Sequence, residues 1–291
     1  MAPSTFTFQG RDGANIVAYR WEPAGAPRGI VQLAHGMGEH LLRYDDLATT
    51  LAGAGFLVAG QDHRGHGATA PSEADHGRIG ATGWTELVND IHVLAGLLHA
   101  EHPGLPLILV GHSMGSFAAQ QYLLDHSDEV AAVALTGTAA IDPLEPAIDL
   151  EAPMDLSAFN APFAPARTDF DWLSRDEAQV DAYIADPRCG FGLDADATKA
   201  MFAGARAVAD PERLAAMRHD LPIYIAVGEH DPVNGQLFLV NTLADRYRAA
   251  GLTDLTFNVY PEARHEVFNE TNRDKVVADL HTWLNSVITG R

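Results

Sequence analysis

The sequence predicts an α/β fold with a mostly parallel central sheet, helices on both faces and one helical insertion. Three observations carry this. Five short, nearly continuous apolar runs lie at 29–34, 56–60, 106–110, 130–135 and 222–227. They have the length of strands and the unbroken hydrophobicity of strands buried on both faces. Helical stretches alternate with them at 45–54, 84–99, 114–124 and 237–250, the rhythm of a doubly wound sheet. The chain of 291 residues, 47% hydrophobic, is also long enough to bury a large core without disulfide or metal staples.

The remaining elements follow in order. Segment 5–9 alternates polar with aromatic residues, and 16–21 resumes after Asp12-Gly13. Together they predict an antiparallel hairpin at a sheet edge. Leu255–Tyr260 reads as one more strand and 273–287 as a closing helix. From 139 to 209 no buried-strand run occurs. Asp142-Pro143-Leu144-Glu145-Pro146 is followed by Phe159, Phe163, Phe170, Trp172, Tyr183, Phe191 and Phe202. A structureless loop of this length would be unusual, so the expectation is an inserted helical cap. The chain then divides into a core of 1–138 and 210–291 around a cap of 139–209.

Acidic residues number 39 against 19 basic ones, a formal charge of −20. Such a surface repels phosphate backbones and anionic headgroups, which argues against nucleic-acid binding. Cys189 is alone, so no intrachain disulfide and no cysteine-based zinc site can form. Residues 1–11 lack the basic and apolar runs of a secretory signal, and no apolar run reaches the ~18–20 residues of a membrane helix. The expected setting is a reducing cytoplasm.

The strongest chemical signal is Gly111-His112-Ser113-Met114-Gly115, directly after the run 106–110 and before a helix. In this strand–turn–helix setting G-x-S-x-G forms a nucleophile elbow. The glycines permit the sharp turn, and the following helix directs free N–H groups at negative charge forming there. A serine needs a general base at neutral pH. Where this elbow occurs, the chain order is nucleophile, acid, histidine. Asp231, in Gly228-Glu229-His230-Asp231-Pro232, follows the run 222–227, and His265 follows Leu255–Tyr260. Both fall at carboxyl ends of strands, where such sheets place their sites. Singly, Asp231 could be a turn residue and His265 an ordinary loop histidine. Their order and shared edge favour a triad.

Acyl transfer also needs donors for an oxyanion. One is the N–H of Met114. The other is expected from His35-Gly36-Met37-Gly38, at the N–H of Met37. Asp62-His63-Arg64-Gly65-His66-Gly67 could suggest a metal cluster. Its glycine spacing fits a tight structural loop better, with Asp62 and His63 hydrogen-bonded near the site floor. Cys189 reads as a small buried hydrophobe or as a lining of the substrate entrance.

With these residues in view, the sequence resembles the monoacylglycerol lipase and lysophospholipase branch of the α/β-hydrolases. The resemblance rests on the segment from His35 to Tyr44 (HGMGEHLLRY), on Asp62 to Gly67 (DHRGHG) and on Gly111 to Gly115 (GHSMG). It runs from about Ile30 to Ser286 and is weakest across the insertion. It implies the α/β-hydrolase fold, a triad of Ser113, Asp231 and His265, oxyanion donors at Met37 and Met114, and a mobile cap over an acyl tunnel. It also implies that Glu39 and Arg43 lie near the alcohol side of the substrate; pairing only with each other is the structural alternative. Two departures stand out: Ser116 where the family usually has glycine, and Asp186-Pro187-Arg188-Cys189-Gly190-Phe191, which is like a bacterial subgroup.

The function expected is a serine ester hydrolase acting on a monoacylglycerol or similar single-chain lipid ester, without cofactor or metal. Membrane contact, if any, is transient and through the cap. The rivals are a short-chain carboxylesterase, a serine aminopeptidase using Glu39 to hold a free amine, and a ligand receptor with little turnover.

Overall fold

In the computed structural model, which describes residues 2–290, eight strands form one sheet in the order β1-β2-β4-β3-β5-β6-β7-β8. The hairpin of β1 (Ser4–Gln9) and β2 (Asn15–Trp21) is antiparallel at one edge, and β2 pairs antiparallel with β4 (Leu57–Gln61). All other pairings are parallel: β3 (Ile30–Ala34), β5 (Leu107–His112), β6 (Ala132–Thr136), β7 (Ile223–Gly228) and, at the far edge, β8 (Leu255–Tyr260). The apolar runs become strands because each can bury both faces. In β5, Leu107 and Leu109 enter one core while Ile108 and Val110 enter the other, the two-residue alternation of a pleated strand.

Helices cover both faces. α1 (Asp45–Gly53) and α8 (Arg273–Thr289) pack one side with Leu47, Leu51, Leu280 and Trp283. α2 (Gly80–Glu101), α3 (Met114–His126) and α7 (Phe238–Ala249) pack the other with Leu87, Ile91, Ala118, Tyr122, Leu243 and Tyr247. Helix α2 starts at Gly80 rather than near Trp84, because the Asp194 carboxylate accepts the Ile79 and Gly80 amides and fixes that entry.

The segment 139–209 carries less regular helix than expected. It has three 3₁₀ turns (Asp142–Ala147, Leu156–Phe163, Asp171–Leu173) before α4 (Glu177–Ala185) and α5 (Ala195–Val208). Prolines at 146 and 162 inside the first two turns keep them short. Helix α5 places Met201, Phe202 and Val208 in the same core as α2 and α3. Leu156, Trp172, Leu173 and Tyr183 form a smaller cluster of their own with Val233. After α6 (Pro211–Ala215) the chain re-enters the sheet at β7. Among the described residues, no helix is long and apolar enough to cross a membrane.

Candidate active site

Strand β5 delivers Ser113 to the carboxyl edge of the sheet and α3 leads away from it. Ser113 has φ 50° and ψ −123°, a strained conformation for a non-glycine residue. The turn closes because its neighbours lack Cβ atoms: one on Gly115 would stand 2.1 Å from the Ala34 oxygen. Ser116 helps fix the first turn of α3. Its hydroxyl donates to the Ser113 carbonyl at 2.6 Å and shares a second hydrogen bond with the Thr138 hydroxyl at 2.9 Å.

Asp231 follows β7 and His265 follows β8. His265 Nδ1 and Asp231 Oδ2 are 2.9 Å apart, and both residues are buried. Asp231 Oδ1 accepts the Val233 amide at 2.9 Å, so the turn-forming role of this Asp-Pro coexists with the histidine contact. Burial acts to lower the His265 pKa. The charge and hydrogen bond of Asp231, with the charges of Glu266 and Glu39, outweigh it and raise the value above the ordinary 6.5. The backbone of the histidine loop is held by segment 139–209: His265 N donates to the Trp172 carbonyl and Glu266 N to that of Leu173 at 2.8 Å.

The loop expected to supply an oxyanion donor is tied down by Glu39, whose Oε1 accepts the Gly36 amide at 2.6 Å and the Tyr44 hydroxyl at 2.7 Å. With the Gly36 amide engaged, the next one is that of Met37. Neither the Met37 nor the Met114 amide has an acceptor in the chain among the described residues. Arg43 reaches Glu39 Oε2 at 2.5 Å and makes a two-pronged pair with Glu266. Glu39 lines the cavity around Ser113, whereas Arg43 stands behind it, against the Tyr183 ring.

Asp62 and its neighbours form a buried loop outside the cavity lining. Its carboxylate accepts the Leu41 and Ala68 amides at 2.8 and 2.7 Å and the Tyr19 hydroxyl. The His63 ring has no hydrogen-bond partner. It is the His63 amide that donates, to His35 Nε2 at 2.9 Å. Both residues are thus hydrogen-bonded, Asp62 through its side chain and His63 through its backbone amide, while the His63 ring packs 4.2 Å from that of His35. Burial pushes His35 down to about 4, and His66 and His112 to about 3. His63 is likewise held well below 6.5. These rings are neutral across the physiological range.

The cavity above Ser113 measures about 650 Å³ including the space at its mouth. Ser113, Met37, Met114 and His265 line it beside Phe117, Ile141, Leu144, Ile148, Met154, Leu156, Phe159, Trp172, Met201 and Phe202. Its walls are apolar apart from a few convergent polar groups, as ligand pockets generally are. Cys189 is half-buried beside the Leu156–Trp172 cluster and outside the cavity lining, its thiol pKa raised by burial. Glu266 had no sequence signal beyond its place next to His265.

Known proteins resemble this chain in sequence and in fold. A family model described as "Serine aminopeptidase, S33" matches residues 25–272. The chain is 36% identical over 290 residues to a monoacylglycerol lipase of Mycolicibacterium smegmatis, covering 97% of each protein. It is 27% identical over 282 residues to the monoglyceride lipase of Mus musculus, covering 94% of this chain and 88% of that one. Among solved structures, a thermostable carboxyl esterase from Bacillus coagulans in complex with glycerol superposes with a TM-score of 0.88. That likeness covers 99% of both chains at 28% identity. The chain belongs to the family described as serine aminopeptidase, S33, as an enzyme of its monoacylglycerol lipase-like α/β-hydrolase branch.

Proposed function

We propose that the enzyme hydrolyses the ester of a single-chain lipid, a monoacylglycerol or a close analogue, through Ser113, His265 and Asp231. The observation that supports this most is the apolar cavity in which Ser113 and His265 stand together. An acyl chain fills such walls, and the glycerol-like alcohol finds its polar partners where Glu39 and Glu266 border the same space.

In this reading Asp231 holds His265 through Nδ1, which leaves Nε2 to take the Ser113 proton as Oγ attacks the ester carbonyl. The oxyanion is received by the Met37 and Met114 amides. The imidazolium formed is stabilised by Asp231 and returns its proton to the departing alcohol. Water then attacks the acyl-enzyme by the same route, and the fatty acid leaves. Arg43 acts on the alcohol side through Glu39 and Glu266 rather than by its own contact. The segment 139–209 serves as the cap that selects the chain.

The aminopeptidase alternative requires a carboxylate whose charge no cation already offsets, whereas an alcohol needs only one remaining lone pair. Glu39 is already committed to Gly36, Tyr44 and Arg43, and Glu266 to Arg43 and Asn269. That disfavours it. The test is a parallel assay of a 1-monoacylglycerol and an aminoacyl amide, following release of fatty acid and of amine. Fatty-acid release from the glycerol ester with little amine release is expected. The reverse preference would replace the lipid-ester reading.

A further inference from the structure

Away from the cleft, His92 on α2, His126 at the end of α3 and Glu129 in the turn Ser127–Glu129 bring their donor atoms together. His92 Nδ1 lies 2.9 Å from Glu129 Oε2, and His126 Nδ1 lies 3.0 Å from Glu129 Oε1. The two imidazoles stack with centroids 4.0 Å apart and planes inclined by 22°. All three residues thus present their donor atoms to one small volume.

We propose that His92, His126 and Glu129 form a binding site for a divalent transition-metal ion of the zinc class. The ion would lie between the two Nδ1 atoms and the carboxylate, and solvent would complete its shell. Five points support it. Ligand atoms about 2.0–2.2 Å from a zinc ion stand roughly 3 Å or a little more from one another, the spacing already found between the nitrogens and the carboxylate oxygens. His92 Nδ1 is shielded from solvent and stands 2.9 Å from Glu129 without a well-directed hydrogen bond to it, so turning the nitrogen to an ion costs little within the chain. Close stacking favours two neutral rings over two imidazolium cations, which leaves the carboxylate in want of a positive partner. Finally, the Tyr122 hydroxyl donates to Glu129 Oε2 at 3.3 Å and orients it, as outer-shell groups do at metal centres. The carbonyl end of α3 adds a favourable field for a cation.

Helix α3 starts directly after Ser113 and ends at His126, so the cluster lies roughly 20 Å along the helix from the nucleophile. An ion here takes no part in ester chemistry. It would pin α2 to the helix that follows the elbow, a stabilising cross-link at the end of α3 away from Ser113.

The test is isothermal titration of tag-free, metal-stripped enzyme with Zn²⁺, with Mg²⁺ as the comparison, alongside thermal melts. Wild type should bind one zinc ion per chain and melt at a higher temperature with it. His126→Ala and Glu129→Gln should each lose about tenfold or more in zinc affinity and the melting shift with it. Cys189→Ser should bind as wild type does, which separates this cluster from the group formed by His40, Asp186 and Cys189. Mg²⁺ should bind far more weakly, since imidazole suits zinc and not magnesium. Absence of stoichiometric zinc binding, wild-type affinity in both cluster variants, or loss of binding only in Cys189→Ser would overturn the proposal.

Discussion

Arg43 and Glu266 form a two-pronged ion pair behind the cleft, with Nη2 2.7 Å from Oε2. Glu266 follows the histidine of the proposed triad. The same guanidinium reaches Glu39, which holds the Gly36 amide one residue before Met37. One cation therefore ties the loop of His265 to the loop of the proposed oxyanion donor. Removing a single partner of a buried pair leaves uncompensated charge and costs about 3–5 kcal/mol. Arg43→Met should lower the melting temperature accordingly, and Arg43→Lys should recover only part, since an ammonium cannot make both prongs. Arg43→Met should also lose more turnover on a monoacylglycerol than on a nitrophenyl ester of the same chain. Equal losses on the two substrates would leave the pair a purely structural role.

Substitution of the proposed triad gives a second expectation. Ser113→Ala or His265→Ala should lower kcat by about 10⁴- to 10⁶-fold with the fold intact, because the three residues act as a unit. Asp231→Asn should cost about 10⁴-fold through the wrong imidazole tautomer. It keeps an oxygen for the Val233 amide, so its melting temperature should move less than that of Asp231→Ala. A fluorophosphonate should modify Ser113 alone, read by peptide mass spectrometry. Modification that survives Ser113→Ala would discard the assignment.

The pH dependence follows from the environment of His265. The base must be neutral, and its pKa is raised above 6.5 by Asp231, Glu266 and Glu39 against the opposing effect of burial. Activity should therefore be full at alkaline pH and fall as pH drops through a value above ~6.5. His35, His63, His66 and His112 titrate far lower, so the acid limb should have the slope of one proton. Asp231→Asn removes a raising influence, and its residual activity should show an acid limb at lower pH. A profile of kcat/KM from pH 5 to 9 checks both, and a flat profile would exclude histidine base catalysis.

The cavity wall offers a separate expectation. Leu144 and Ile148 line it without being fully buried themselves, so a larger side chain there can be accommodated at modest cost to stability. Ile148→Trp should shorten the space for the chain. Activity on long-chain esters should fall while activity on an acetyl ester is largely kept, measured as the ratio of kcat/KM values. An unchanged ratio would place the acyl chain elsewhere.

What the sequence reveals here depends on how local the determinant is. The elbow is legible because Gly111–Gly115 contains its own turn chemistry and sits between a strand and a helix. Asp231 and His265 are legible by chain order and by their place after strands. The Arg43–Glu266 pair is not, because its partners are 223 positions apart and neither carries a motif that names the other. The cavity wall is only partly legible. Of the aromatic residues that the sequence shows in segment 139–209 (Phe159, Phe163, Phe170, Trp172, Tyr183, Phe191 and Phe202), Phe159, Trp172, Tyr183 and Phe202 reach it, while Ile141, Leu144, Ile148 and Met201 also line it. Short 3₁₀ turns have no apolar period to show which side chains turn inward, and α5 makes part of segment 139–209 ordinary core.

The most direct measurement of the central claim is kcat/KM for a series of monoacylglycerols from acetyl to long chains. Each methylene buried in the cavity is worth ~0.8 kcal/mol, about fourfold. The account predicts a rise of up to that size per carbon, then a plateau where the cavity ends. A preference for acetyl or propionyl esters with no gain from added carbons would contradict it and leave a short-chain carboxylesterase.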